Sequence, residues 1–422
     1  MAKVFSICFQ KNRILAIIVS LAIISRFWNL SNPANHVFDE VYHAFTAQTY
    51  AQNNPAGYEW WHSSPIEGMA YEWLHPPVAK LFMALGIVIF GNNSFGWRFF
   101  SAVFGILAIY LIYLLGKRCF GQKTGLIAAF LACLDGLLLT QSRIAMNDIF
   151  LVVFILAALY FLWEWSEKLK TKPFLLSWFM AGLACATKWS GVFLLPIFGF
   201  TALRVILTGK SRDWLRKNYW LVVKGFLLIP LVYILSYGQF WLQGHTIKQF
   251  RELHQQIWWY QTSLRATHDY QSNALSWPLM TRPVWFWVDY QEDKIANIYN
   301  RGNPVIWWGG LLILPLVIYQ VVRNYNKKES QKLGFLAFCY FILWLPWVFS
   351  PRIMFLHHYL PAIPFLCLLL AWFVNKYLKD KKWLFGWLAL AAFIFLIFYP
   401  INTGLLIPVK SFNLLLWLPT WK

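Results

Sequence analysis

The sequence predicts an all-α polytopic membrane protein with about eleven spans. Its 422 residues are 59% hydrophobic and only 13% charged, more apolar surface than a soluble core calls for. That surface is gathered into blocks near the roughly 20 residues needed to cross a hydrocarbon layer. Short basic stretches separate the blocks, as expected of loops held on the cytoplasmic side.

The first block, Ile14 to Trp28, follows Lys11 and Arg13 as the core of a signal peptide would. Arg26, Phe27 and Trp28 stand where a small-residue cleavage site belongs, so the block reads as a retained span. A formal net charge of +20 would suit a nucleic-acid binder if the cations shared one face. They cluster between blocks instead: Lys3, Lys11 and Arg13; Lys117, Arg118 and Lys123; Lys168, Lys170 and Lys172; Lys210, Arg212, Arg216 and Lys217; Arg323, Lys327, Lys328 and Lys332; Lys376, Lys379, Lys381 and Lys382. This placement points to a lipid bilayer and away from nucleic acid as partner.

Placing every cluster inside yields a consistent path. Span 1 lies near 12–30 and is followed by a long outer loop, 31–96. Spans 2 to 7 lie near 97–115, 124–140, 148–163, 174–187, 189–206 and 219–241, and a second outer loop covers 242–303. Spans near 304–322, 333–349, 356–374 and 383–400 complete the chain. The organisation expected is an N-terminal transmembrane module over 1–241, the outer loop 242–303 and a four-helix module over 304–422. The N-terminus falls in the cytoplasm and the C-terminus outside. Cys8, Cys119, Cys133, Cys185, Cys339 and Cys367 lie in spans or on the basic side, so no disulfide framework is expected.

The first outer loop holds no Lys or Arg from Phe27 to Ala79 but carries Asp39, Glu40, Glu59, Glu67 and Glu72. Val78 to Phe90 is apolar, too short to cross, and follows Pro76 and Pro77. It predicts an interfacial helix starting at the prolines. The stretch from Asp39 to Gln52 also reads as helix, and together the two would form a shelf on the outer surface.

The ionisable residues in or beside spans are Arg26, Arg98, Asp135, Arg143, Asp148, Lys188 and Arg352, all toward outer ends on this path. A charge at mid-membrane costs about 2.5 to 3.5 kcal/mol on insertion scales, so such groups pair or face a wet cavity. Asp39 and Glu40, with His36, Tyr42 and His43 nearby, suit a general base or a metal ligand. The alternative is an N-terminal cap, in which Asp39 complements the helix dipole. Successive helix residues are rotated by about 100°, so the two carboxylates cannot face one substrate atom equally. His75 and Lys80, around the proline turn, suit an anionic headgroup or a plain interfacial role. In the second outer loop Trp258, Trp259, Tyr260, Trp277, Trp285, Trp287 and Tyr290 could stack on a sugar or form an aromatic belt. His357 and His358 are adjacent, which favours a donor contact or an interfacial pair over a metal site.

At the level of motifs, Phe38-Asp39-Glu40-Val41-Tyr42-His43, His75-Pro76-Pro77-Val78-Ala79-Lys80, Leu134-Asp135-Gly136, Ser142-Arg143, Asn147-Asp148 and Ala186-Thr187-Lys188-Trp189-Ser190-Gly191 resemble, in order, the signatures of protein O-mannosyltransferases. Ser276-Trp277-Pro278-Leu279, Arg282-Pro283-Val284-Trp285, Gly302-Asn303-Pro304-Val305-Ile306-Trp307-Trp308 and Ser350-Pro351-Arg352 through His357-His358-Tyr359-Leu360-Pro361 resemble that family's later blocks. The resemblance runs from about Phe38 to Pro364. It implies a GT-C glycosyltransferase fold, a polyprenyl-phosphate mannose donor and transfer to Ser or Thr of a secreted polypeptide, with the secretion channel among the expected partners. It implies a catalytic Asp39 as base beside Glu40. Donor or substrate contacts are expected from His75, Lys80, Arg98, Arg143, Asp148, Lys188, Trp277, Arg282, Arg352, His357 and His358. Of these, Lys80, Arg143, Lys188 and Arg352 are the candidates for the departing phosphate. No resident cofactor or metal is firmly implied, and divalent-metal dependence stays open. The second outer loop is too short for the repeat domain of eukaryotic members, which implies a bacterial-type enzyme of the plasma membrane working on its outer side; Asn147-Asp148 stands where Leu-Asp is common. The alternatives are a related GT-C transferase with another lipid-linked sugar, and a transporter or lipid flippase.

Overall fold

The computed structural model describes residues 2–207, 212–263 and 265–422. Lys210 of the fourth basic cluster lies outside the described residues, as do the side chains of Lys3, Cys8, Lys11 and Arg212. In chain order the helices are α1 (Ala2–Phe27), α2 (Glu40–Ala51), α3 (Val78–Phe90), α4 (Ser94–Phe120), α5 (Gln122–Cys133), α6 (Gly136–Gln141), α7 (Asp148–Lys168), α8 (Thr171–Cys185) and α9 (Leu194–Leu207). They continue with α10 (Arg212–Lys217), α11 (Tyr219–Ser236), α12 (Gly238–Leu242) and α13 (Ile247–Ser263). After the strands β1 (Val284–Gln291) and β2 (Lys294–Asn300) come α14 (Pro304–Arg323), α15 (Lys328–Trp344), α16 (Ile363–Tyr377) and α17 (Lys381–Thr403), then β3 (Ile407–Pro408) and α18 (Val409–Leu414).

Among the described residues, eight helical segments are long and apolar enough to cross a membrane. They occupy the predicted spans 2, 4, 6, 7 and 8 to 11. Helices also stand at the other three predicted positions. α1 covers span 1, α8 covers span 5 with 15 residues, and span 3 is divided into α5 and α6. The division has a local cause. Asp135 caps α6, its carboxylate accepting from Leu138 N at 2.9 Å, and this turns the chain between the two helices. α3 begins directly after Pro77, as the proline pair predicts.

The chain divides into two compact units interleaved in sequence. One comprises 1–32, 102–143 and 267–422. Its centre is α16, which α5, α14 and α15 contact and in which every residue from Ile363 to Trp372 is buried. The outward faces of its neighbours stay apolar, with Leu312, Leu316, Phe385 and Phe393 exposed. A surface of that kind requires lipid as its solvent. Against the all-α expectation, the described residues also form a three-stranded antiparallel sheet in the order β1-β2-β3, within and after the second predicted outer loop. Its hairpin turns at Glu292–Asp293, with Glu292 at φ +52, and β2 is buried on both faces.

The other unit comprises 33–101 and 144–266. α7 is buried from Asp148 to Leu159 and packs against α8 and α9. α11 packs on α8 through small residues: a Cβ on Gly182 would meet Val232 at 2.8 Å and one on Gly225 would meet Trp178 at 2.9 Å. Most of the remaining surface of α11 is exposed and apolar, with Phe226, Leu227, Leu231 and Leu235 outermost.

In the first unit, Asp135 also accepts from Trp307 Nε1 at 2.7 Å and Asn303 N at 3.3 Å, so it joins the start of α14 to α6. Asp135→Ala would leave these buried donors unmatched. The expected outcome is a loss of at least about 1–3 kcal/mol, read as a lowered melting temperature of the detergent-solubilised protein. An unchanged melting temperature would contradict this account.

Candidate active site

The second unit assembles its charged motifs through backbone as well as side chains. Glu40, the first residue of α2, is completely buried and accepts four hydrogen bonds. Arg98 Nε and Nη2 approach its two oxygens at 2.8 and 2.7 Å, a forked pairing. Ala145 N donates at 2.8 Å and Val37 N at 3.0 Å. Arg98 in turn donates to Pro33 O at 2.7 Å and Asn35 O at 3.1 Å. One ion pair thereby holds the loop before α2, α2 itself, the start of α4 and the segment that leads to Asp148.

A second cluster is centred on Glu72, a residue the sequence motifs did not single out. Lys80, fully buried on α3, bonds to the Glu72 carboxylate and donates to His75 O at 2.8 Å. His75 Nδ1 lies 3.0 Å from one Glu72 oxygen and His43 Nδ1 lies 3.5 Å from the other. Burial alone would raise the Glu72 carboxyl, but Lys80, His75 and His43 hold it well below the usual range. Burial also lowers the His75 imidazole against the pull of Glu72. The spacing of Glu72 three residues before His75 and eight before Lys80 was the available signal, and it is weak without the fold.

The start of α3 is tied to a third motif, since Val78 N donates to Ala186 O at 3.1 Å, next to Thr187 and Lys188. Lys188 Nζ meets Asp148 Oδ1 at 3.0 Å. The Asp-Glu, His-Pro-Pro, Asn-Asp and Thr-Lys motifs are therefore gathered in this unit, with Arg98 among them.

Asp39 stands apart within that framework. It occupies the position before α2, yet its side chain makes no capping bond, and no hydrogen bond to its carboxylate occurs among the described residues. The capping alternative is thus not what the side chain does. The chain arrives there through Phe38 at φ +47, a left-handed conformation that costs a bulky residue about 1–2 kcal/mol. Burial pushes the Asp39 carboxyl up to about 6, with Asp148 and Glu72 adding to the rise and His43 and Lys188 opposing it. A half-buried carboxylate near 6, without a hydrogen-bond donor, is suited to take a proton near neutrality.

The first unit holds the remaining predicted residues. Arg143 donates to the carbonyls of Ser25, Arg26, Trp28 and Asn29 at 2.8–3.2 Å, closing the C-terminal end of α1. Trp277 is fully buried, donates to Ser272 Oγ at 2.9 Å and stacks on His358 at 6.2 Å. His357 and His358 stack on one another at 4.5 Å, with His357 buried and His358 half-buried. Arg282 donates to Asp269 O, Thr420 O and Lys422 O, holding the end of the chain. Arg352 is half-buried beside Pro351.

Removing one partner of the buried Glu40–Arg98 pair leaves the other uncompensated, at a cost of about 3–5 kcal/mol. Arg98→Ala is therefore expected to lower the melting temperature sharply, and Arg98→Lys, which keeps charge without the fork, to recover only part of it. Thermal unfolding in detergent checks both, and wild-type stability in Arg98→Ala would refute the assignment.

The sequence pattern of the family described as Dolichyl-phosphate-mannose-protein mannosyltransferase matches residues 16–247. That of the C-terminal four TMM region of protein-O-mannosyltransferase matches residues 246–421. The polyprenol-phosphate-mannose–protein mannosyltransferase of Mycolicibacterium smegmatis is 27% identical, with 96% of this chain and 92% of that relative covered. The counterpart from Corynebacterium glutamicum is also 27% identical, over 96% of this chain and 93% of its own length. Among solved structures, the S. cerevisiae protein O-mannosyltransferase Pmt1-Pmt2 complex bound to the sugar donor aligns with a TM-score of 0.81 at 15% identity, covering 98% of this chain and 93% of that one. ArnT from Cupriavidus metallidurans bound to undecaprenyl phosphate aligns at 0.59 and 14% identity, over 90% of this chain and 62% of that one. The fold is that of GT-C glycosyltransferases, and the chain, a multi-pass membrane glycosyltransferase, belongs to the dolichyl-phosphate-mannose–protein mannosyltransferase family.

Proposed function

We propose that this protein transfers mannose from polyprenyl-phosphate mannose to Ser or Thr hydroxyls of polypeptides on the non-cytoplasmic side of the plasma membrane, with the N-terminus in the cytoplasm. The observation that carries the mechanism is the contrast between two adjacent carboxylates. Glu40 is saturated by four donors, whereas the Asp39 carboxylate meets none among the described residues and is pushed up to about 6.

In this reading Asp39 takes the proton of the acceptor hydroxyl as its oxygen attacks the anomeric carbon. The bond from that carbon to the phosphate oxygen breaks, the configuration inverts, and polyprenyl phosphate departs with the electron pair. A phosphate is a good leaving group, so one carboxylate suffices and no general acid is required. Lys188 is the cation assigned to the departing phosphate, because its charge acts on Asp39 and it pairs with Asp148 at 3.0 Å. Glu40, Arg98, Glu72 and Lys80 serve as positioning residues. The acceptor reaches Asp39 as a segment emerging from translocation, and the donor approaches from the bilayer.

The test uses the full chain in lipid with polyprenyl-phosphate mannose and a Ser/Thr peptide. Asp39→Asn is expected to lower the rate by about 100- to 10,000-fold, the range for loss of a general base. A carboxyl raised by burial is penalised when ionised, so native stability falls as pH rises from the ordinary Asp range through about 6. Asp39→Asn removes that penalty and is expected to melt no lower than wild type at pH 7. Mannosyl transfer onto lipid instead of peptide would shift the assignment to a related transferase, and full activity in Asp39→Asn would end the general-base assignment.

The same carboxyl sets the pH profile. Asp39 must be ionised to act, so kcat/KM is expected to fall about tenfold per unit below pH 6 and to level above it. A profile flat from pH 5 to 8 would contradict this role.

A further inference from the structure

The first unit contains a cavity of about 530 Å³ that has no part in the proposed chemistry. Its volume lies within the range of small-molecule sites, about 300–1,000 Å³. It opens where α4 and α16 end and where α5 and α15 begin, at three of the basic clusters that the sequence places in the cytoplasm.

Its charged lining is Arg118, Lys332 and Lys376 against the single carboxylate of Glu329. That carboxylate is already matched, accepting from Trp372 Nε1 at 2.7 Å and from Lys376 Nζ at 3.0 Å. Lys332 donates one of its protons to Cys119 O at 2.6 Å. Three cations against one anion leave a positive excess in a partly enclosed space. α5 adds to it, since its twelve residues begin at the cavity wall after Gly121 with no side-chain cap. The setting is that of a membrane boundary. Tyr377 and Trp383, 51% and 73% exposed, flank the same end of α16 and the start of α17, where amphipathic rings settle at headgroup depth.

We propose that this cavity binds a phosphate-bearing anion, supplied by the membrane as the headgroup of an anionic phospholipid. Basic pockets between membrane helices favour such headgroups because several cations meet one phosphodiester in a site of reduced dielectric. The occupant would brace the ends of α4, α5, α15 and α16 together.

The probes are dioleoylphosphatidylglycerol, dioleoylphosphatidylcholine and inorganic phosphate, added to the full chain in detergent and followed by native mass spectrometry. Phosphatidylglycerol is expected to be retained in preference to phosphatidylcholine, and Arg118→Gln with Lys332→Gln to weaken that retention about tenfold or more. Glu329→Gln, which removes the acidic charge of the described lining and keeps an acceptor for Trp372, is expected to tighten it. Failure of inorganic phosphate to displace the lipid assigns the site to a headgroup, and saturable displacement with phosphate bound alone assigns it to the free anion. Equal retention of both lipids without phosphate binding, or looser retention of phosphatidylglycerol in Glu329→Gln, would overturn the proposal.

Discussion

The buried fork between Glu40 and Arg98 constrains the site more than any other contact. Moving two charges out of water costs several kcal/mol per ion, and their attraction offsets this only if the remaining lone pairs and protons are also matched. Here they are: two backbone amides complete Glu40 and two backbone carbonyls complete Arg98. Pro33, Asn35 and Val37 lie in the loop before α2 and Ala145 in the distant segment before α7, so satisfying the pair determines where those two segments lie. The consequence for Asp39 follows from helix geometry. One residue earlier and rotated by about 100°, it cannot share these donors and is left with a carboxylate that nothing neutralises directly.

Seen this way, unpaired charge is the informative state in a protein built for lipid. Asp148 meets Lys188, Glu72 meets Lys80 and two histidines, Asp135 meets an indole and two amides, and Arg143 meets the last carbonyls of α1. Each resolves the cost of placing an ionisable group near hydrocarbon by a local partner. The sequence places Asp135, Arg143, Asp148 and Lys188 at outer ends of spans and Glu72 in the first outer loop, and for the span-end group it allows both pairing and a wet cavity. Pairing accounts for most of them individually, and Asp39 is the residue whose position the pairing leaves open.

Helix positions were legible because hydropathy blocks, prolines and basic clusters are local signals. α3 starts after Pro77, and α2 occupies all but the edges of the stretch from Asp39 to Gln52. Partnerships were not legible, because they depend on distant sequence. Glu40 reaches Arg98 across 58 positions and Ala145 across 105. Only its spacing to His75 and Lys80 sets Glu72 apart from Glu59 and Glu67 in sequence, and that signal gains meaning when Lys80 folds onto it. The β1–β2 hairpin did leave a trace. Val284 to Gln291 is rich in β-branched and aromatic residues, and Glu292-Asp293 separates it from a second such run, Lys294 to Asn300. That aromatic content also fits an interfacial belt, and the two readings separate only once strand pairing is seen.

The adjacent pair His357-His358 repeats the logic of Asp39-Glu40 in the other unit. In a 3₁₀ turn successive side chains are about 120° apart, so only one of two neighbours can look out from a packed wall. His357 is 3% exposed against Phe286 and Phe355. His358 is half-buried, lies over the Trp277 ring and approaches Trp347 at 4.9 Å. The full burial of Trp277 thus makes it a support for an imidazole and not a surface on which a sugar could stack. In both motifs a doubled polar residue divides into one member that is fully packed and one that is half-buried beside it.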